Sequence, residues 1–560
     1  MRNPSLRGDG GFHGSEIWPH IIGKYAVSQI ELLVLLFGIV AIVGFVVRKS
    51  VIPTSLFLVI TGIILAPPID FPLISEHPEL VLNVFLPLLL YQISSFTSWR
   101  EFKKHMGPIA LLSVGHVIFI TILVACLIRY FFPQISWPLA FIIGAVVSPP
   151  DDVAIISIAE KIKLPSRIVT ILEGEGILND ATALILFRFS IAAFITHQFI
   201  LGKAILTFVL MVVAETLYGV VLGHILGKLR VHMRDSLLHM VVALLTPFIA
   251  YLPAERLGGC GVIATVVSGF IIGNCYAIYF TPEFRLLSRS VWSTISFMIQ
   301  SLLFILVGVN IDSIYQSISA VPIVNLIKFL AIVVVAVVVG RFLWVFPVTY
   351  LPKLLFWRKA KEAYPSWQST FIISWSGMRG AISLAAALAV PSVALPIDNI
   401  DARDLVTFLV FGVIFFTLIL QGISLSWVTK WLGTQKHRNH ELYLEKISEL
   451  SARKDMTEGA IKWLIEHKAF EENQDIHEEI DLHIKNYELL KNQLQEKINS
   501  AHPIEKEEEE ELSIEETNLS NETIEIEKNI LLDLWEQEKI SLAVRNRLIE
   551  QLDYRAKYNI

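Results

Sequence analysis

The chain has 560 residues, 54% of them hydrophobic and only 18% charged, with a mean hydropathy of +0.59 and a net charge of −6. That balance excludes an ordinary soluble protein, whose core helices rarely hold 18 consecutive apolar residues. No nucleotide loop, metal-ligand cluster or hydrolytic triad stands out, so neither an enzyme nor a cofactor is expected, and no nucleic-acid partner. The three cysteines, Cys126, Cys260 and Cys275, lie in or beside apolar runs without metal-ligand spacing and read as small apolar packing residues.

Residues 1–25 form a polar, Gly-rich segment without the short apolar core and cleavage site of a signal peptide. A bilayer core takes about 20 apolar residues per helix, and thirteen such runs follow: 26–47, 51–66, 80–98, 106–128, 138–160, 168–196, 204–227, 235–251, 260–275, 290–311, 324–350, 369–391 and 404–431. The second and ninth are short. The loops between them alternate in charge. The odd-numbered loops (48–50, 99–105, 161–167, 228–234, 282–289 and 352–361) hold 17 Lys and Arg, the even-numbered ones four. Positive residues collect in cytoplasmic loops. The expectation is therefore an N-terminus outside and a cytoplasmic C-terminus, with residues 26–432 spanning the membrane. Residues 433–560 are polar and helix-forming. They carry an acidic run from Glu505 to Glu511 that reads as solvated, flanked by amphipathic spacing over Ile461–Leu494 and Ile530–Leu552. This is a helical cytoplasmic tail, either regulatory or passive.

A charge at the centre of a span costs at least ~3 kcal/mol, so intramembrane ionisable residues mark partners or function. The fifth run contains Ser148-Pro149-Pro150-Asp151-Asp152. Two prolines break the helix, and the freed carbonyls beside a carboxylate suit a hard cation. Adjacent aspartates point in different directions, so only one of Asp151 and Asp152 is expected to face an ion. The sixth run holds Glu173, Glu175, Asn179 and Asp180. Glu175 and Asn179 share a helix face, and three carboxylates within eight residues require protonation, a bound cation or an arginine partner. Arg341 in the eleventh run is the preferred partner of Glu175. Arg379, among glycines at the start of the twelfth, is a fixed positive charge near the site or an arginine snorkelling to the interface. Gln92 and Gln300 are neutral and either bond across helices or ligate an ion, the first being favoured. Glu215, His116 and His239 read as packing or interfacial residues.

The motifs resemble those of the NhaP/NHE type of monovalent cation:proton antiporter. The family pattern S-P-x-D-x-V-A is matched by Ser148 to Ala154, L-E-G-E-x-x-x-N-D-A by Leu172 to Ala181, and G-x-R-G-A by Gly377 to Ala381, with Arg341 in the preceding span. The resemblance covers residues 26–432 and not the tail. It implies an all-α polytopic membrane protein of about thirteen transmembrane helices in inverted repeats. The fifth and twelfth spans would be unwound and cross near the ion, and the chain would work as a homodimer in a bacterial inner membrane, serving pH homeostasis. It further implies that Asp180 binds either the cation or the proton, with Asn179 ordering it, Asp151 contributing from the crossing, and Glu175–Arg341 as a structural ion pair. An Asn-Asp pair goes with electroneutral exchange. Three positions depart from the pattern: Gln92 stands for a common glutamate, Gly176 for a serine and Pro150 for a threonine. These departures bear on whether Na+, Li+ or K+ is the substrate, and Asp152 is a candidate to compensate. The alternatives are a K+/H+ exchanger on the same fold, a cation channel, and a membrane signalling protein using the tail.

Overall fold

The computed structural model describes residues 29–47, 53–66, 81–97, 99–151, 155–156, 166–198, 201–233, 235–318, 322–355, 366–395, 400–433, 435–469, 474–500 and 521–558. Asp152, the residues 1–25 and the acidic run 505–511 lie outside them. Among the described residues there is no strand, only an isolated bridge between Ala394 and Asp401.

In chain order the helices are α1 (Gln29–Val47), α2 (Thr54–Leu65), α3 (Leu86–Phe96, entered through a π-turn), α4 (Trp99–Lys104), α5 (Met106–Ala110) and α6 (His116–Phe131). Then come α7 (Trp137–Val147), α8 (Ser166–Thr196), α9 (Leu201–Val231), α10 (Ser236–Arg256), α11 (Val262–Tyr279), α12 (Pro282–Val309), α13 (Ile311–Ile318) and α14 (Ile323–Leu355). The membrane part closes with α15 (Trp367–Trp375), α16 (Ala381–Leu388), α17 (Ala402–Thr417) and α18 (Ser424–Trp431). Every apolar run meets helix, but not always as one rod. Among the described residues seven helices are long and apolar enough to cross a membrane, and five are shorter. The twelfth run is the pair α15 and α16, separated by Ser376–Gly380. A count of thirteen crossings therefore rests on the sequence alone.

Side-chain caps start several of these helices. Ser136 accepts from Leu139 N–H ahead of α7, Asp235 from Leu237 and Leu238 N–H ahead of α10, and Asp401 from Arg403 N–H ahead of α17. Thr281 does the same for α12, with Pro282 at its first position. This corrects one expectation. The stretch 282–289, expected as a loop, is the first two turns of α12, because the capping pair outweighs its polarity.

Helices α2 and α12 cross with backbones in contact. A Cβ on Gly62 would strike the Ile305 carbonyl, and one on Gly308 the Val59 carbonyl. Small residues at such a crossing let dispersion act between whole backbones. Gly308→Leu is expected to destabilise by about 3 kcal/mol by overpacking against unyielding backbone. Gly38→Leu on α1, where a Cβ meets nothing within 4 Å, is expected to leave thermal unfolding in detergent unchanged. Equal unfolding temperatures for the two variants would sink this reading of the crossing.

After α18, Gly433 at φ 67° ends the membrane part. The tail follows as α19 (Gln435–Lys468), α20 (Gln474–Ser500), α21 (Asn521–Glu536) and α22 (Leu542–Tyr558). Each amphipathic stretch expected from the sequence is thus shared between two helices. The tail has cores of its own, one of them built on Met456, Leu531, Val544 and Leu548, and it docks on the membrane part. The Arg285 guanidinium donates to both carboxylate oxygens of Asp553, with each side chain only 3% exposed. Arg289 pairs with Glu550. Arg100 of α4 donates to the carbonyls of Trp535 (2.6 Å) and Glu536 (2.9 Å).

Candidate ion-binding site

The site grows from two helices that stop in mid-course. Helix α7 ends at Val147 because Pro149 and Pro150 supply no N–H to continue it. Helix α15 ends at Trp375, and Ser376–Gly380 runs non-helically into α16. The two breaks touch: Asp151 N–H donates to the Met378 carbonyl at 2.7 Å. A Cβ on Gly380 would lie 2.5 Å from the Asp151 carboxylate, so only glycine admits this approach.

Arg379 is fully buried at the contact, not at the interface. Its Nε donates to the Val147 carbonyl (2.6 Å), its Nη1 to the Gly377 carbonyl (2.7 Å), and its backbone N–H to Thr417 Oγ1 (3.1 Å). The guanidinium therefore caps the carboxyl end of α7, where the helix dipole favours positive charge. The snorkelling alternative is overturned, because the freed carbonyl at Val147 gives the charge a better place.

Helix α8 faces this crossing. Asn179 Nδ2 donates to the Pro150 carbonyl at 2.7 Å, which uses one of the acceptors released by the first break. The Oδ1 of Asn179 is buried without a protein partner among the described residues. One turn earlier, Glu175 takes both Nη groups of Arg341, at 2.7 and 2.9 Å, with both side chains at most 2% exposed. Arg341 Nε donates to the Ile373 carbonyl at 3.0 Å. Arg341 is thus satisfied by a carboxylate from one helix and a carbonyl from the broken one.

Asp180 and Asp151, both half-buried, line one cavity together with Gly176, Gln300 and apolar side chains of α3, α12 and α16. Asp180 also reaches a second cavity with Pro149 and Ser383. Glu173 is half-buried on the same helix and lines neither. Gln92 lies on α3, but Leu86, Leu89, Leu90 and Ile93 are the residues of that helix that face the cavity. Among the other intramembrane polar residues, Glu215 accepts from Cys260 N–H at 2.6 Å and His239 stacks on Phe284 with centroids 3.6 Å apart. His116 is buried with neither ring nitrogen paired among the described residues.

Cross-helix bonding is the favoured expectation for Gln300, which lines the cavity, and the sequence does not single out Ser383 or Thr417. Gln300 is an amide inside an apolar run, which is a signal. Thr417 is a threonine among many on helices, which is none.

Residues 33–431 match the family described as sodium/hydrogen exchanger, transmembrane. The chain belongs to the sodium/hydrogen exchanger family. It is an integral membrane protein, in keeping with its apolar helices. A relative from Bacillus pumilus (strain SAFR-032), named a sodium, potassium, lithium and rubidium/H(+) antiporter, is 31% identical over 74% of this chain and 62% of its own length. A Bacillus subtilis relative of the same name is also 31% identical. This chain spans 62% of the length of either. The Na(+)/H(+) antiporter ApNhaP of Aphanothece halophytica is 30% identical over 74% of this chain and 75% of its own. Among solved structures, the exchanger fold is similar to the sodium proton antiporter MjNhaP1 from Methanocaldococcus jannaschii. The TM-score is 0.58 at 18% identity, over 72% of this chain and 98% of that one.

Proposed function

We propose that this chain exchanges a monovalent cation, Na+ first among the candidates, for protons across the membrane by alternating access. The observation that carries the reading is the placement of Asp180 and Asp151 on one cavity where two broken helices meet. One buried carboxylate does not hold a proton and a metal cation at once. Competition for Asp180 couples the two ions if the site crosses only when occupied. Asn179, Glu175, Arg341 and Arg379 position the crossing and balance its charge. The names of the relatives support antiport, and the Bacillus names, which include potassium, lithium and rubidium, support a K+/H+ variant of the same reading.

The chain is proposed to divide into an N-terminal segment (1–25), a transmembrane exchanger (26–432) and a tail (433–560). The end of the family match at residue 431 supports this division. We place the N-terminus outside and the tail in the cytoplasm of a bacterial inner-membrane homodimer. Support for the orientation comes from the tail, whose partners Arg100, Arg285 and Arg289 all lie in stretches assigned to the cytoplasm by positive charge.

The test is exchange by purified protein in proteoliposomes against Li+, Na+ and K+ across several pH values. Saturable, cation-dependent collapse of an imposed pH gradient is expected. Flux without proton coupling would favour a channel, and no flux a signalling role.

A further inference from the structure

We propose that Gln300 is a cation ligand that sets which alkali cation the site accepts. The proposal rests on the antiport reading and deepens it. Among the described residues, the cavity shared by Asp151 and Asp180 has one further polar side chain on its wall, that of Gln300. The rest of the wall is leucine, isoleucine, phenylalanine and Gly176. A cation that enters sheds part of its water and must replace it with oxygen, because hard cations take oxygen ligands. The aspartates supply oxygen from α8 and from the first break. On α12, Gln300 offers a neutral amide oxygen from a third element.

Three features favour ligation over cross-helix bonding. The wall beside Gln300 is apolar, so its amide has few partners there other than the aspartates and whatever enters the cavity. Gly176 lies on the same wall and contributes no side-chain atom, and Gln92 does not face the cavity. Neither position therefore supplies a side-chain oxygen to this cavity. An amide also adds an oxygen without adding charge, so it strengthens cation binding while leaving the carboxylate's own affinity for a proton in place. Its reach on two methylenes lets it follow cations of different radius, which makes it the group whose identity decides the order of preference.

The test uses full-length protein in proteoliposomes, comparing wild type with Gln300→Leu, which keeps volume and removes the oxygen. Apparent KM is measured for Li+, Na+, K+ and Rb+ at several pH values. The expected result is an apparent KM raised about tenfold for at least one cation, the size of a single lost interaction of about 1.4 kcal/mol. The order of preference should change while the pH profile and the maximal rate stay put. Identical KM values and order overturn the proposal. So does a change confined to the pH profile, which would make Gln300 a residue that positions an aspartate. Should Gln300→Leu fail to fold, Gln300→Asn shortens the reach by one methylene and is held to the same criteria. If Asp180→Asn still exchanges, the antiport reading fails. If that variant is dead and Gln300→Leu is unaltered, only this proposal fails.

Discussion

Asp180→Asn is expected to reduce cation-coupled proton flux to background. Asparagine matches aspartate in shape but carries no charge for the cation and no proton for the return leg. Both halves of the cycle are lost together, which a mere binding defect would not produce. The protein should fold as well as before, because the change removes a carboxylate from apolar surroundings. Unfolding temperature in detergent is therefore the control, and it should be equal to or above that of wild type. Asp151→Asn, whose carboxylate shares the cavity but packs against Gly380, is expected to weaken cation affinity without abolishing exchange. Coupled flux persisting in Asp180→Asn proteoliposomes would remove this aspartate from the exchange step.

The second large effect is on stability. Glu175 and Arg341 form a bidentate pair with no solvent to screen it. Removing one partner strands the other as an unpaired buried charge, at a cost of about 3–5 kcal/mol. Glu175→Ala and Arg341→Ala should each lower the unfolding temperature sharply or prevent purification. Glu175→Leu combined with Arg341→Met should recover most of the loss, since well-packed apolar replacement of a buried pair is often neutral. Recovery stays incomplete because Arg341 also holds the Ile373 carbonyl beside the broken helix. A double variant no more stable than the single ones would show that the pair acts mainly through that carbonyl. If either single variant were harmless, the ion pair would have no structural role.

Much of the site is legible in the chain because burying charge is expensive. Three carboxylates on α8 and two arginines inside apolar runs have few ways to be satisfied, which makes Glu175–Arg341 a preferred pairing, and the family resemblance implies the same pair. Pro149-Pro150 and the glycines around Arg379 announce broken backbone for the same local reason, the loss of N–H donors and of Cβ atoms. Other features are not legible. That Arg379 caps α7 through the Val147 carbonyl, and that Asn179 spends its amide on Pro150, depends on how the two breaks cross. Thr281 and Pro282 signal a helix start ahead of 282–289, but only the tertiary structure brings Arg285 and Arg289 to the tail.

Hydropathy, loop charge and helix breakers are properties of short windows, and they determined the membrane class, the helical runs and the set of residues able to hold an ion. Which of those residues meet is decided by packing between helices far apart in sequence. Only the tertiary structure puts Gln300 of α12, and not Gln92 of α3, on the cavity with Asp151 and Asp180. Only it brings Asp553 to Arg285 across 268 positions of chain. The physical reason is one of direction. A glutamine in a greasy helix reads the same whichever way it points, and its facing is set by the neighbours against which the whole helix packs.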